Sequence, residues 1–429
     1  MPLVVISDDF TGALDTGVQF AKYGLSVTIS TTREIHGRNF KRESVDVLIV
    51  DAEMRHLSSQ EAYRLTGELV EQAIGASVPY IYIKTDSGLR GNIGSELKAA
   101  LDVSRESFLP FLPAFPDMNR TTQNGIHFID QIPIHESVFG LDPFEPVRSP
   151  YVRDLFKGLD VSVAAIENAE TYQTRFEKPT IGIFDVKTND DFRRIAKHLM
   201  EQGQLKIVAG CAGFAAVLPE FIGLRKKDVP IPFIGRPLLV VCGSLNPITK
   251  TQIDYALENG FAHISLEPHQ LFEKGYFGSA EGVRWLSAME PLFHGEQPII
   301  IDTGGASPER METYLRQYQL SKEAARVAVS DALGQMMKQC MALGYSRERM
   351  LMIIGGDTLL GFIRQLEWQV ISPICELEPG TVLSSIGLAE RQLLVVSKSG
   401  GFGKKDLLER ISEKIGAYPE GRWHDELHT

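Results

Sequence analysis

The sequence is poor in cysteine. Its four, Cys211, Cys242, Cys340 and Cys375, are far apart in 429 residues and none has CxxC or Cys/His spacing. A zinc site or dithiol pair is therefore not indicated, and the apolar surroundings of Cys211 and Cys242 ("KIVAGCAG", "LLVVCGS") suit small buried hydrophobes in a reducing compartment. No run of 18 apolar residues occurs, so no membrane span is expected. The opening "MPLVVISDDF" lacks the basic n-region of a secretory leader, so the cytoplasm is the expected location. Positive charge is also scarce: 44 Lys and Arg stand against 55 Asp and Glu, for a net charge of −11. That balance argues against a general nucleic-acid binder but permits a small anionic ligand held by a local cationic cluster. Two phosphate signatures are missing as well. No G-x-x-x-x-G-K-[ST] is present, "GGFGKKD" having the wrong spacing, and no G-x-G-x-x-G follows the first strand.

What is present is an alternation. Short β-branched or aromatic runs ("PLVVIS", "VDVLIVD", "YIYI", "FLPFLPAFP", "TIGIFDV") end abruptly in polar or glycine-rich residues, and helix-like segments such as "SSQEAYRLTGELVEQAIG" lie between some of them. This rhythm predicts an α/β fold with mostly parallel sheets covered by helices. Its length exceeds what one core usually supports. The segment "RKKDVPIPFIGRP", with three prolines, reads as a linker. Two α/β domains are expected, 1–232 and 233–429, with an active-site cleft between them and a C-terminal helix packing back on the second.

In open α/β sheets ligands bind beyond the carboxyl ends of strands. In the first domain those ends carry Asp8, Asp9 and Asp15, then Glu53 and Arg55, then Lys84, Asp86, Ser87 and Arg90, and a later loop adds Asn119, Arg120, Thr121 and Thr122. Cations beside carboxylates, hydroxyls and amides suit a small polyhydroxylated acid, since arginine grips a carboxylate with a two-pronged fork. Each residue alone has a plainer reading: Asp8 and Asp9 as helix caps, Arg55 or Arg120 as solvated surface charge. Repetition at four strand ends favours the site. The second domain offers "CGSLNPITKTQ", "TGGAS", "GGDT" and "SKSGGFG", small residues that let backbone N–H groups approach phosphate oxygens at helix N-termini.

The motifs "DDFTGALD" (8–15), "KTDSGLRGN" (84–92), "PAFPDMNRTT" (113–122), "GS" (243–244) followed by "TKTQ", "GGDT" (355–358) and "SGGFG" (399–403) resemble those of the four-carbon acid sugar kinases, in the same order along nearly the whole chain. The resemblance implies ATP-dependent phosphorylation of the 4-hydroxyl of D-threonate, D-erythronate or a 3-oxo-tetronate, with D-threonate the first expectation. It further implies that Asp9, Arg55, Lys84, Thr85, Asp86 and Ser87 contact the acid, with Arg90 and Arg120 close by and Asp8 in the same set. By the same resemblance, Ser244, Gly355, Gly356, Asp357, Thr358, Gly400, Gly401, Phe402 and Gly403 are expected to surround ATP. Asp9 and Asp86 are the candidate catalytic bases, and Asp357 is the candidate protein ligand for the Mg²⁺ that accompanies ATP. One departure stands out: many relatives have Gly-Arg where this chain has Asn119-Arg120. Beyond the acid and ATP no nucleic-acid or membrane partner is expected, and a homodimer is the candidate assembly. Competing readings are a sugar-acid dehydrogenase, which lacks its glycine fingerprint, and a non-catalytic sugar-acid sensor.

Overall fold

The structure is a computed structural model describing residues 1–35, 45–141, 146–170, 172, 176–228, 234–304, 308–366, 370–388 and 391–416. The chain divides into two compact units, Met1–Val229 with Val370–Pro373, and Pro230–Gln369 with Ile374–Thr429. Residue 233, where the linker reading places the domain boundary, lies outside the described residues.

The first unit runs β1 (Leu3–Ser7), α1 (Phe10–Lys22), β2 (Val27–Ser30), β3 (Val47–Asp51), α2 (Ser59–Gly75), β4 (Tyr80–Lys84), α3 (Ile93–Ser104), β5 (Phe108–Leu112), β6 (Arg120–Gln123), β7 (Ile126–Ile129), β8 (Ile132–Pro133), β9 (Ser162–Ile166), β10 (Thr180–Phe184), α4 (Asn189–Glu201), β11 (Ile207–Gly210) and α5 (Ala212–Ala215). Eight strands form a parallel sheet in the order β2-β3-β1-β4-β11-β5-β10-β9. Every residue of β1 and β3 is buried, which is why these runs are continuously apolar rather than alternating. Successive strands lie to one side of β1 until β3, after which the chain crosses over to β4 on the other side. The carboxyl ends of β1 and β4 thus flank the topological switch point, where a crevice forms because neighbouring connections leave in opposite directions. β6, β7 and β8 make a separate antiparallel sheet that the apolar-run reading missed, since its strands are only two to four residues long and β6 is polar throughout. Val370 and Ile371 also pair antiparallel with β2, which draws Val370–Pro373 into this unit although the sequence assigns them to the second domain.

The second unit continues with β12 (Leu238–Cys242), α6 (Pro247–Glu258), β13 (Ala262–Ser265), α7 (Pro268–Phe272), α8 (Ala280–Ala288), α9 (Glu290–Phe293), β14 (Ile299–Asp302), α10 (Pro308–Gln317), α11 (Lys322–Ala342), β15 (Met350–Ile354), α12 (Gly356–Gln365), β16 (Val370–Glu378), β17 (Thr381–Leu388), β18 (Arg391–Lys398) and α13 (Leu407–Gly416). β13, β14, β12, β15 and β18 are parallel neighbours in that order, and β17 adds antiparallel to β18. Here β12 and β15 flank the switch point, which puts Gly243-Ser244 and Gly355-Gly356 side by side. α13 packs Leu407, Leu408, Ile411 and Ile415 into this unit's core. Arg349, only 1% exposed, has its guanidinium bonded to the carbonyls of Leu292, Phe293, Gly295 and Gln297, so a single buried cation satisfies the orphan acceptors around the end of α9.

Candidate active site

At the switch point of the first unit, β1 delivers Asp8 and Asp9, β3 delivers Arg55 through its following loop, and β4 delivers Lys84 and Asp86. The loop bonds fix this arrangement: Met54 and Arg55 donate their backbone N–H groups to Asp8 O at 2.9 and 3.2 Å, and Asp8 N–H donates to Lys84 O at 3.3 Å. Arg55 is the hub. Its Nε donates to Asp8 Oδ2 at 2.8 Å, its Nη2 lies 2.7 Å from both Asp8 Oδ2 and Asp9 Oδ1, and Asp86 Oδ1 is 3.9 Å away. Lys84 Nζ lies 3.7 Å from Asp8 Oδ1. Gly12 is required beneath it, because a β-carbon there would overlap the ammonium.

The three acids differ. Burial pushes the Asp8 carboxyl up, against the pull of Arg55 and Lys84. Burial would also raise Asp86, but Arg55 and Arg90 outweigh it and hold the group well below the ordinary carboxylate value; Arg90 Nε donates to Asp86 Oδ2 at 2.7 Å. Asp9 is the N-cap of α1, with Oδ1 accepting from Gly12 N–H at 2.9 Å and from Arg55, while Oδ2 has no partner among the described residues. Its side chain is 22% exposed, against 1% for Asp8 and 10% for Asp86. The capping and functional readings of Asp9 are therefore compatible: one oxygen caps, and the other has no partner among the described residues.

Other expected residues gather at the same place. Arg120, on β6, donates through Nη1 to Ser87 Oγ, and the guanidinium carbons of Arg90 and Arg120 each sit 5.1 Å from the ring centre of Phe139. A cavity of about 430 Å³ is lined by Arg55, Arg90, Asn92 and Arg148, among others. Thr85 is wholly buried, and its Oγ1 has no partner among the described residues. Glu53 is exposed and adopts φ 43°. Asn119 sits at φ 53°, a left-handed conformation that glycine adopts freely and asparagine tolerates best among side-chain-bearing residues, which accounts for the departure from Gly-Arg.

Sequence reasoning missed the supports. His127 is buried with Nδ1 3.0 Å from Thr122 Oγ1 and Nε2 3.1 Å from Ser87 O; burial, with the charge of Arg120, lowers its pKa to about 4. Asn92 donates to the carbonyls of Met54, Arg55 and Leu57, tying the "KTDSGLRGN" loop to the Arg55 loop. Glu96 is buried without a hydrogen-bond partner among the described residues, and burial together with Asp8 pushes its carboxyl well up. Asn92 closes the "KTDSGLRGN" motif, but its bonds to the Arg55 loop, like that of His127 to Ser87 O, span more than thirty residues and leave no local signature.

In the second unit Gly243, Ser244, Gly355–Thr358 and Gly400–Gly403 converge. A β-carbon on Gly400 would overlap Ser244 Oγ, one on Gly243 would overlap Thr358 Oγ1, and Gly355 has φ 112°, which L-residues rarely adopt. α12 begins at Gly356 with no side-chain cap, so its first N–H groups stay available to an anion. Beside them a slot of about 390 Å³ has an apolar wall of Pro268, Leu271, Phe272, Tyr314, Leu315 and Val329, with Gly243, Asp357 and Thr358 at one end. Asp357, the candidate metal ligand, pairs with Arg326 Nη1 at 2.7 Å, and no group of three or more His, Cys, Asp or Glu among the described residues is arranged to hold a metal.

Comparison with known proteins agrees with this geometry. A family described as "Sugar-binding N-terminal domain" matches residues 3–218, and one described as "Nucleotide-binding C-terminal domain" matches residues 239–408. The chain is 26% identical to a D-threonate kinase of Salmonella typhimurium, over 95% of this chain and 97% of that protein. It is 25% identical to a D-erythronate kinase of Heliobacterium modesticaldum (97% and 99% covered) and 25% identical to a 3-oxo-tetronate kinase of Cupriavidus necator (96% and 97% covered). Among solved structures, a Haemophilus influenzae protein of family DUF1537 shares the fold, with TM-score 0.74 and 20% identity over 96% of this chain and 100% of that one. The chain belongs to the four-carbon acid sugar kinase family.

Proposed function

We propose that this chain transfers the γ-phosphoryl group of ATP to the 4-hydroxyl of a four-carbon sugar acid, with D-threonate the first candidate and D-erythronate and 3-oxo-tetronate the alternatives. The observation that carries the reading is the part-exposed Asp9 carboxylate, held beside Arg55 with Oδ2 left without a partner among the described residues, at the switch point of a unit that matches a sugar-binding family. The relatives reported are named kinases, which leaves the dehydrogenase and sensor readings without an observation in their favour.

In this mechanism Arg90 and Arg120, with Lys84 behind them, offset the carboxylate of the acid and fix its direction. Asp9 Oδ2 accepts the proton of the 4-hydroxyl as that oxygen bonds to the γ-phosphorus, and the bond from phosphorus to the β,γ-bridging oxygen breaks to leave ADP. Asp86 is the weaker candidate base, because its cationic neighbours stabilise the charged form and so remove its tendency to take a proton. Adenine occupies the apolar slot, and the phosphates meet Ser244, the N-terminus of α12 and the Gly400–Gly403 loop. Mg²⁺ bound with the nucleotide would neutralise the phosphates, a role that needs few protein ligands, with Asp357 as the candidate among this chain's residues. Positioning and charge neutralisation dominate phosphoryl transfer, which is the chemistry these groups supply.

An ADP-release assay over the stereoisomeric four-carbon acids, with the phosphorylated position fixed by NMR, tests the reading. Release of ADP with one acid and a 4-phosphate product supports it; no acid-dependent ADP with any of them contradicts it.

A further inference from the structure

The motifs "TKTQ" and "SK", at 249–252 and 397–398, have no part in the chemistry above, yet their side chains are among the most buried polar groups of the second unit. Thr249 and Gln252 are wholly buried and Lys398 is 2% exposed. Apart from a 3.4 Å bond from Lys398 Nζ to Thr249 Oγ1, the side-chain bonds of these three residues end on the carbonyls of one loop. Lys398 Nζ donates to Ser399 O at 2.9 Å and to Gly400 O at 3.4 Å, Thr249 Oγ1 donates to Gly400 O at 2.8 Å, and Gln252 Nε2 donates to Phe402 O and Lys404 O, both at 2.9 Å. Thr249 and Gln252 are three residues apart on α6 and so share one face.

In a planar trans peptide the N–H of residue i+1 points opposite to the carbonyl of residue i. Tethering the carbonyls of Gly400 and Phe402 to α6 therefore turns the N–H groups of Gly401 and Gly403 away from α6, and tethering that of Ser399 to Lys398 turns the Gly400 N–H away from the ammonium. None of the three donates to a group among the described residues. At position 401 a β-carbon would meet nothing nearer than Asn246 Nδ2 at 3.7 Å, so the loop is open on that side.

We propose that Lys398, acting with Thr249 and Gln252, is a positioning residue for the nucleotide's phosphates: it holds the Gly400–Gly403 loop with its amides outward and places a cation beneath them without touching the ligand. The inference rests on the nucleotide reading of this unit. Burial lowers the Lys398 ammonium to about 8. Cys242, its titratable neighbour, has its thiol pushed by burial to about 11, and the groups facing Lys398 from α6 and β17, namely Thr249 and Thr381, are uncharged. A bound phosphate raises the lysine further, so nucleotide affinity falls as pH rises above about 8, a range in which the terminal phosphate, titrating near 6, does not change charge.

The test is calorimetric binding of ADP and of adenosine to the full chain and to Lys398→Met, Lys398→Arg and Gln252→Leu. Lys398→Met is expected to weaken ADP about 10- to 100-fold, the range of lost charge-assisted bonds, while adenosine changes by less than about twofold. Wild-type ADP affinity should fall between pH 7.5 and 9.5, and that of Lys398→Arg should stay flat. Equal loss of ADP and adenosine, or no loss of either, overturns the proposal. Should Lys398→Met not fold, the ADP-to-adenosine ratio of Gln252→Leu decides in the same way. Wild-type protein that binds neither ligand sinks the nucleotide reading itself, a failure separable from that of Lys398.

Discussion

Asp9→Asn separates the two roles of one side chain. Asparagine is as good an N-cap as aspartate, and its Oδ1 keeps the bonds from Gly12 N–H and Arg55 Nη2, 2.9 and 2.7 Å in the wild type. Arg55 also retains Asp8 at 2.7 Å. Stability should therefore stay within about 0.5 kcal/mol, whereas Asp9→Ala, which deletes the cap, should cost about 1 kcal/mol. Catalysis should respond differently. An amide cannot accept the hydroxyl proton, and loss of a general base lowers turnover about 10²- to 10⁴-fold, equivalent to about 3 to 5 kcal/mol of barrier. Binding of the acid should not suffer. Formally, Asp8, Asp9 and Asp86 face Arg55, Lys84 and Arg90, so removing one negative charge leaves the pocket net positive toward an anionic substrate. Coupled ADP release gives kcat and KM, and urea titration gives stability. A variant with near-normal kcat and a raised KM would refute the base assignment and leave Asp9 as a binding group.

Two further outcomes follow from the same geometry. Gly401→Ala should leave stability unchanged, since its β-carbon meets only Asn246 Nδ2 at 3.7 Å, but raise the KM for ATP more than that for the acid; Gly400→Ala should also destabilise the second unit, because its β-carbon overlaps Ser244 Oγ. His127 is held neutral in the fold, about 4 against the usual 6.5. The unfolded chain then binds the proton first, so its contribution is intact above about pH 6.5 and is lost as pH falls toward 4. Wild type should lose about 2 to 3 kcal/mol more than His127→Gln between pH 7 and pH 4.5 in urea titrations, and parallel losses would show that His127 is not the group responsible.

Much of this was legible in the sequence because both sites sit at strand ends. The apolar runs before Asp8, Lys84, Gly243 and Gly355 became β1, β4, β12 and β15, and switch-point topology brought their polar ends together. Residues that work through distant contacts were not legible: His127 and Phe139 reach the site from the segment around the small antiparallel sheet, and Arg326 meets Asp357 from another helix. Asn119 carries a particular lesson. Its departure from glycine could be taken as a change in the sugar pocket, but its φ of 53° makes it a response to backbone conformation, so it gives no ground for choosing among the three acids.

The central claim is that the first unit binds a four-carbon acid for phosphorylation at its far end. It is tested most directly by following ¹³C-labelled D-threonate, D-erythronate and 3-oxo-tetronate by NMR with Mg-ATP and the full chain. Phosphorus coupling at carbon 4 of one acid, appearing in step with ADP, is the predicted result. Coupling at another carbon, or ADP formed at the same rate with no acid present, would contradict it.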